Sequence, residues 1–311
     1  MSQLKQRLVA GEVVLIDGAT GTELELADVA MVDNAWCALA SLTNPEAVKK
    51  VHAENIRAGA ELIIANTFVC SRHILERAGH SEHFEQLNTL GIELALEARN
   101  ETDAPLVIVA GSISTTAQGG SQPSVEVARA NFGDQVRLQA EAGVELFLLE
   151  MMREIPNTET ILDAIEPTGI PAWVGFSCEM IDDEPSLLYG DCTLAEALEA
   201  MKDRNIELVA IMHTETEEID RCLDVVFDHW SGPVGVYAHT GGWEPPHWVF
   251  NDMISVEDYA EACLRWVDRG VQVIGGCCGI GPAHISHLEG VLPRHLPGRS
   301  RPDPHRRTGT Q

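Results

Sequence analysis

Short apolar runs rich in β-branched residues recur along the chain, and amphipathic stretches of helical period lie between them. The runs are Val13–Ala19, Glu61–Phe68, Leu106–Ile113, Leu146–Met152, Ala172–Cys178, Leu208–His213, Val234–His239 and Val271–Cys277. Asn44-Pro45-Glu46 reads as a helix start, with Asn44 at the cap and Pro45 in the first turn. Val48, Val51, His52 and Ile56 then repeat at helical spacing. Glu82–Arg99, Val125–Ala142, Thr193–Arg204, Thr216–His229 and Ser255–Arg269 behave alike, and Ser255 with Asp258 has capping-box spacing. Strands alternating with helices imply a parallel sheet with right-handed crossovers. Eight such units imply closure into a single-domain (β/α)8 barrel, an α/β TIM barrel, over residues 1–292. A doubly wound open sheet is the rival. From Pro293 the chain is rich in Pro, Arg and His, so residues 293–311 are expected to form a disordered tail.

Composition narrows the partners. With 311 residues, 45% of them hydrophobic, the chain can bury a large core as one domain. A net charge of −27 repels phosphate backbones and anionic lipid, so neither nucleic acid nor membrane is expected as a partner. That charge fits solubility or adaptation to salt and says nothing about substrate. The N-terminal residues Met1 to Leu8 contain no apolar leader segment, and no stretch approaches a membrane span. Eight cysteines without a leader fit reduced thiols and a cytoplasmic location, not a disulfide framework.

In a (β/α)8 barrel the chemistry sits at the C-terminal strand ends. Those ends carry Asp17 and Gly18, Asn66 and Thr67, Ser112 and Ser114, Glu150, Cys178, His213, His239, and Cys277 with Cys278. Singly, each has an ordinary explanation. A strand-end Asp can cap a helix, a His can be a satisfied core residue, and Cys178 can be a small buried hydrophobe. The adjacent pair is more informative. Cys277 and Cys278 follow an apolar run and are flanked by glycines, so both thiols can reach one soft metal ion. Zinc prefers thiolate and imidazole, and a catalytic zinc keeps three protein ligands and one open position. The third ligand would come from His213, His239 or Cys178. Phosphate-loop, His-Glu-x-x-His and Gly-x-Ser-x-Gly motifs are absent, and the run Asp17 to Thr22 lacks dinucleotide spacing.

An ordered series of segments resembles a known family. It comprises Asp17-Gly18-Ala19-Thr20-Gly21-Thr22-Glu23-Leu24, Asn44-Pro45-Glu46-Ala47-Val48, Val51-His52 and Ala58 to Phe68. Gly111-Ser112-Ile113, Leu149-Glu150-Met151-Met152 and Gly275-Gly276-Cys277-Cys278-Gly279 complete it. This series is similar to the zinc-dependent homocysteine S-methyltransferases, which include betaine- and S-methylmethionine-dependent enzymes. The resemblance covers the chain to about residue 290. It implies a (β/α)8 barrel, a zinc ion, and transfer of a methyl group from a sulfonium or quaternary ammonium donor to the thiol of homocysteine, giving methionine. Asp17, Gly18, Asn66 and Glu150 would bind substrate, and His213, Cys277 and Cys278 would bind the metal. Trp36, Phe68, Trp243 and Trp248 offer aromatic faces to a cationic donor. No cobalamin-binding region accompanies the barrel.

Two departures from the family pattern flank the site. Strand six usually ends Gly-x-Asn-Cys, with that Cys as third ligand; here it reads Ala210-Ile211-Met212-His213. Strand seven usually ends Tyr-Pro-Asn-x-Gly; here it reads Tyr237-Ala238-His239-Thr240-Gly241. An imidazole in place of a thiolate makes the centre less negative by one unit. These changes leave open a different thiol acceptor, a demethylase defined by its donor, or a zinc hydrolase on the same barrel. A zinc closed by a fourth ligand, Cys178 or His239, is the non-catalytic reading. Oligomeric state, a homo-oligomer included, is not legible.

Overall fold

The computed structural model describes residues 3–115, 123–190 and 192–297. Its centre is one eight-stranded parallel sheet. The strands are β1 (Val14–Leu15), β2 (Leu62–Ile64), β3 (Ile108–Ser114) and β4 (Leu146–Met152), then β5 (Ala172–Phe176), β6 (Leu208–Glu215), β7 (Val234–His239) and β8 (Val273–Ile274). Their order around the sheet is β1, β8, β7, β6, β5, β4, β3, β2. The ring closes because the Glu61 amide donates to the Leu15 carbonyl at 2.8 Å and the Asp17 amide to the Leu62 carbonyl at 3.0 Å. The architecture is therefore the closed (β/α)8 barrel and not the open sheet.

Alternation along each strand sorts side chains between two layers. Leu146, Leu148, Trp173, Leu208, Ala210, Met212, Tyr237 and Val273 fill the interior. Phe147, Leu149, Val174, Val209, Ile211, Val236 and Ile274 face the helices. The helices follow the amphipathic pattern. Pro45–Arg57 has Pro in its first turn, although Asn44 makes no side-chain cap bond there. Leu194–Met201 starts on a full capping box between Thr193 and Glu196. Ser255 caps Val256–Arg269 by accepting from the Asp258 amide, while the Asp258 carboxylate returns to the Ser255 hydroxyl instead of its amide. Among the described residues no helix is long and apolar enough to cross a membrane.

Three features depart from the sequence-based expectation. Cys178 does not end β5 but opens a hairpin, Cys178–Ile181 against Glu184–Leu187. A second hairpin, Gly242–Glu244 against His247–Val249, follows β7 and overhangs the barrel mouth. At the opposite end, the start of the expected tail is ordered. The Val13 amide donates to the Arg294 carbonyl, the Leu296 amide donates to the Gly11 carbonyl, and Leu296 is buried. Residues 298–311 lie outside the described residues.

One packing contact supports the rim directly. The buried Tyr259 hydroxyl donates to the Gly275 carbonyl at 2.7 Å, beside the cysteine turn. Tyr259→Phe leaves that carbonyl without this donor and is expected to cost about 1–3 kcal/mol. A urea midpoint that falls with an unchanged m-value would show it; an unchanged midpoint would not fit.

Candidate metal centre and substrate cavity

The turn after β8 is fixed from both sides. The Gly276 amide donates to the Asp17 carbonyl, the Cys277 amide to the Ala238 carbonyl, and the Thr240 amide to the Cys278 carbonyl. Gly279 has φ +79°, a conformation that favours glycine, and an added Cβ there would lie 2.4 Å from the Thr240 carbonyl oxygen. Two adjacent side chains are thereby turned to the same end of the barrel, with their Sγ atoms 3.9 Å apart.

His213 reaches them through an irregularity. Inward positions on β6 are Leu208, Ala210 and Met212, so strict alternation would point residue 213 outward. The β6–β7 register shifts between Met212 and Glu215, and His213 adopts φ +42°. A bulge of this kind re-aims a side chain, and a non-glycine residue in this conformation is held there by its surroundings. The result places His213 Nδ1 3.4 Å from Cys277 Sγ. Donor atoms of His213, Cys277 and Cys278 all lie within 4.8 Å of one another. Tetrahedral zinc with ordinary bond lengths separates two sulfurs by about 3.8 Å and sulfur from nitrogen by about 3.6 Å. The donor set fits zinc in chemistry and in spacing.

The thiols are electrostatically unequal. The hydrogen bond shared with Cys278, then the nearby His213 and His239, hold Cys277 well below the usual thiol range despite its partial burial. The same shared bond, together with burial, pushes Cys278 well up. His239 lies beside the set and not in it. Its ring centroid is 4.5 Å from that of His213, and its Nε2 is 3.1 Å from Glu215. Burial opposes a charge on His239, but the Glu215 carboxylate outweighs it and raises the pKa. Cys178 is absent from the set: it sits in the core between barrel and helices, with Cys222 as its thiol neighbour.

The donor set opens into a cavity of about 690 Å³. Below it Glu150 is buried and accepts a short hydrogen bond from Ser112. Burial lifts the Glu150 carboxyl to about 8, with the nearby Cys277 adding to it. Asp17 is also raised, first by burial and then by Glu150. One Asp17 oxygen accepts from the Ile64 amide at 2.7 Å, while the other is buried without a partner. The Tyr237 hydroxyl is buried beside these carboxyls and interacts with Glu150. Glu150 and Tyr237 line the cavity floor, with Asp17 buried beside them.

Two expected substrate contacts are already committed to the fold. The Asn66 amide donates to the Cys37 carbonyl and the Ser41 hydroxyl and accepts from the Cys37 thiol. The Gly18 amide donates to the Asn55 side chain. Both residues shape the wall. Aromatic side chains form the upper wall. Trp36 meets Trp243 edge-on at 5.8 Å, Trp243 lies 6.4 Å from Trp248, and Trp248 lies 5.8 Å from His213. Trp36 covers Gly21 so closely that an added Cβ would lie 2.2 Å from the indole. Met151 also lines the cavity, and Arg153 and Tyr189, which the sequence reading did not single out, complete it.

A barrel carrying two thiols and an imidazole on its C-terminal rim, open to an aromatic and acidic cavity, defines a (β/α)8 enzyme with a candidate metal centre. A family model for the homocysteine S-methyltransferases matches residues 14–292, and the chain belongs to that family of methyltransferases. It is 27% identical over 310 residues to homocysteine S-methyltransferase 2 of Zea mays, covering 91% of each chain. It is 26% identical over 312 residues to homocysteine S-methyltransferase YbgG of Bacillus subtilis (strain 168), covering 93% of this chain and 97% of that one. In fold it is similar to the metallated form of the homocysteine methyltransferase MmuM from Escherichia coli. The TM-score is 0.77 at 24% identity, covering 93% of this chain and 99% of that one.

Proposed function

We propose that this protein transfers a methyl group from a sulfonium or quaternary ammonium donor to the thiol of homocysteine, giving methionine, with zinc held by His213, Cys277 and Cys278. The donor set opening onto this cavity is the observation that carries the reading. Zinc, when bound, supplies a Lewis acid that keeps a substrate thiol deprotonated near neutral pH. The chain's own residues do the rest. Glu150 and Tyr237 present oxygens to the floor, with the Asp17 carboxyl buried beside them. An ammonium group has three N–H donors, so the amino group of homocysteine suits that floor. Trp36, Trp243 and Trp248 offer π faces to the cationic methyl donor above. The sulfur forms a bond to the methyl carbon. The carbon–heteroatom bond of the donor breaks, its electron pair stays with the heteroatom, and the thiol proton leaves to solvent. Holding both partners in line is the main catalytic contribution.

His213 is the distinctive ligand. A neutral nitrogen in place of a thiolate makes the centre a stronger Lewis acid and the bound sulfur a weaker nucleophile. Zinc titration against a chromogenic chelator tests the assignment. His213→Ala is expected to lose zinc affinity by orders of magnitude, whereas His213→Cys should retain it and raise turnover. Unchanged affinity in His213→Ala would remove His213 from the ligand set.

A further inference from the structure

We infer that Arg153 is the residue that reads the carboxylate of the methyl donor, whose methyl-bearing cation lies at the tryptophans. This deepens the methyltransferase reading and rests on it. Among the described residues lining the cavity, Arg153 is the one permanent cation, in a chain of 48 acidic and 21 basic residues. A wall that accepted a bare cation would be better without it, because like charges in a partly dry site repel.

The guanidinium is held in place and under-used. Its Nη2 donates to the Tyr189 carbonyl at 3.1 Å, and its carbon lies 5.3 Å from the Tyr189 ring centroid. Its Nε is buried without a partner. A guanidinium offers five N–H donors in a planar fork suited to a carboxylate. Two strained residues set this geometry: Met151 has φ +50°, at the register shift in β4, and Tyr189 has φ +55°. Depth assigns the partner. Glu150 on the floor is 6% exposed, whereas Tyr189, against which Arg153 packs, is 67% exposed. The acceptor's amino-acid end belongs at the floor. Arg153 stands nearer the mouth, where the donor enters.

Two donor pairs test this: dimethylsulfoniopropionate against trimethylsulfonium, and glycine betaine against tetramethylammonium. Binding is read by quenching of tryptophan fluorescence, and methionine formation is followed in parallel. In the parent, at least one carboxylated member is expected to bind about 10- to 100-fold more tightly than its bare partner. Arg153→Gln should erase that difference, leave the bare cations within about 2-fold, and leave the KM for homocysteine unchanged; Arg153→Lys should recover part of the loss. Equal binding within both pairs, or no binding by any of the four, overturns the inference. So does a loss in Arg153→Gln that falls on homocysteine, or equally on both members of a pair. If methionine still forms from a bare cation in Arg153→Gln, the methyltransferase reading stands whatever becomes of Arg153. If metal-replete parent forms methionine from no donor, that reading fails first.

Discussion

Replacing Cys277 and Cys278 together by alanine is expected to lower zinc from about one per chain to near none and to abolish methyl transfer. The fall in rate should exceed about 1000-fold, since positioning of two reactants alone can contribute roughly 7–11 kcal/mol. The barrel should survive. The turn is held by main-chain bonds to Asp17 and Ala238 that do not involve the thiols, and neither thiol belongs to the large core cluster between barrel and helices. Metal analysis beside a far-ultraviolet circular dichroism spectrum separates loss of metal from loss of fold. Full zinc occupancy in a folded double variant would be incompatible with the proposed ligand set.

Glu150→Gln is the second large effect, and it should fall on the acceptor. A charge-assisted bond to the homocysteine ammonium contributes on the order of 1.5–3 kcal/mol, so use of homocysteine should weaken by about ten- to a hundred-fold with zinc retained. The analogue 4-mercaptobutyrate, which lacks the amino group, should be a poor substrate for the parent and little affected by the substitution. Equal use of the two thiols by the parent would mean that Glu150 reads no amino group.

The pH dependence has a definite sign. Burial lifts the free Glu150 carboxyl to about 8, so it is largely protonated at neutral pH. An ammonium ligand prefers the carboxylate. Homocysteine affinity should therefore rise with pH and level off above about 8. Folding stability responds in the opposite direction. The carboxyl binds its proton more tightly folded than unfolded, so its contribution is complete below the ordinary value of 4.5 and is lost as pH rises toward about 8. Glu150→Gln should flatten both slopes in calorimetric titration and in unfolding midpoints.

Much of the frame was legible because it rests on local pattern. β4 and β7 fall on the runs Leu146–Met152 and Val234–His239, since a strand buried on both faces is apolar from end to end. The cysteine pair was legible from adjacency and flanking glycines. Irregular backbone was not. Nothing in Ala210-Ile211-Met212-His213 announces a positive φ at His213, and alternation alone points its side chain away from the site. The hairpin after β5 did carry a signal. Asp182 and Asp183 both take positive φ at its two-residue turn, and Asp tolerates that conformation. Ending the run Ala172–Cys178 at Cys178, with the hairpin beyond it unread, left Cys178 at the end of β5, which it does not occupy. Asn66 shows the opposite difficulty: a polar strand-end residue lines the cavity while its amide is spent on Cys37 and Ser41. Hydrogen-bond commitments between distant segments leave no trace in spacing.

The central claim is tested most directly by following labelled methyl transfer to homocysteine with three preparations: protein as purified, chelator-stripped, and restored with zinc. The donors are trimethylsulfonium, dimethylsulfoniopropionate and glycine betaine. Labelled methionine should form with the purified protein, cease on stripping, and return with zinc. A zinc-replete, folded protein that yields no labelled methionine from any of these donors, or a stripped protein that yields it undiminished, would contradict the assignment.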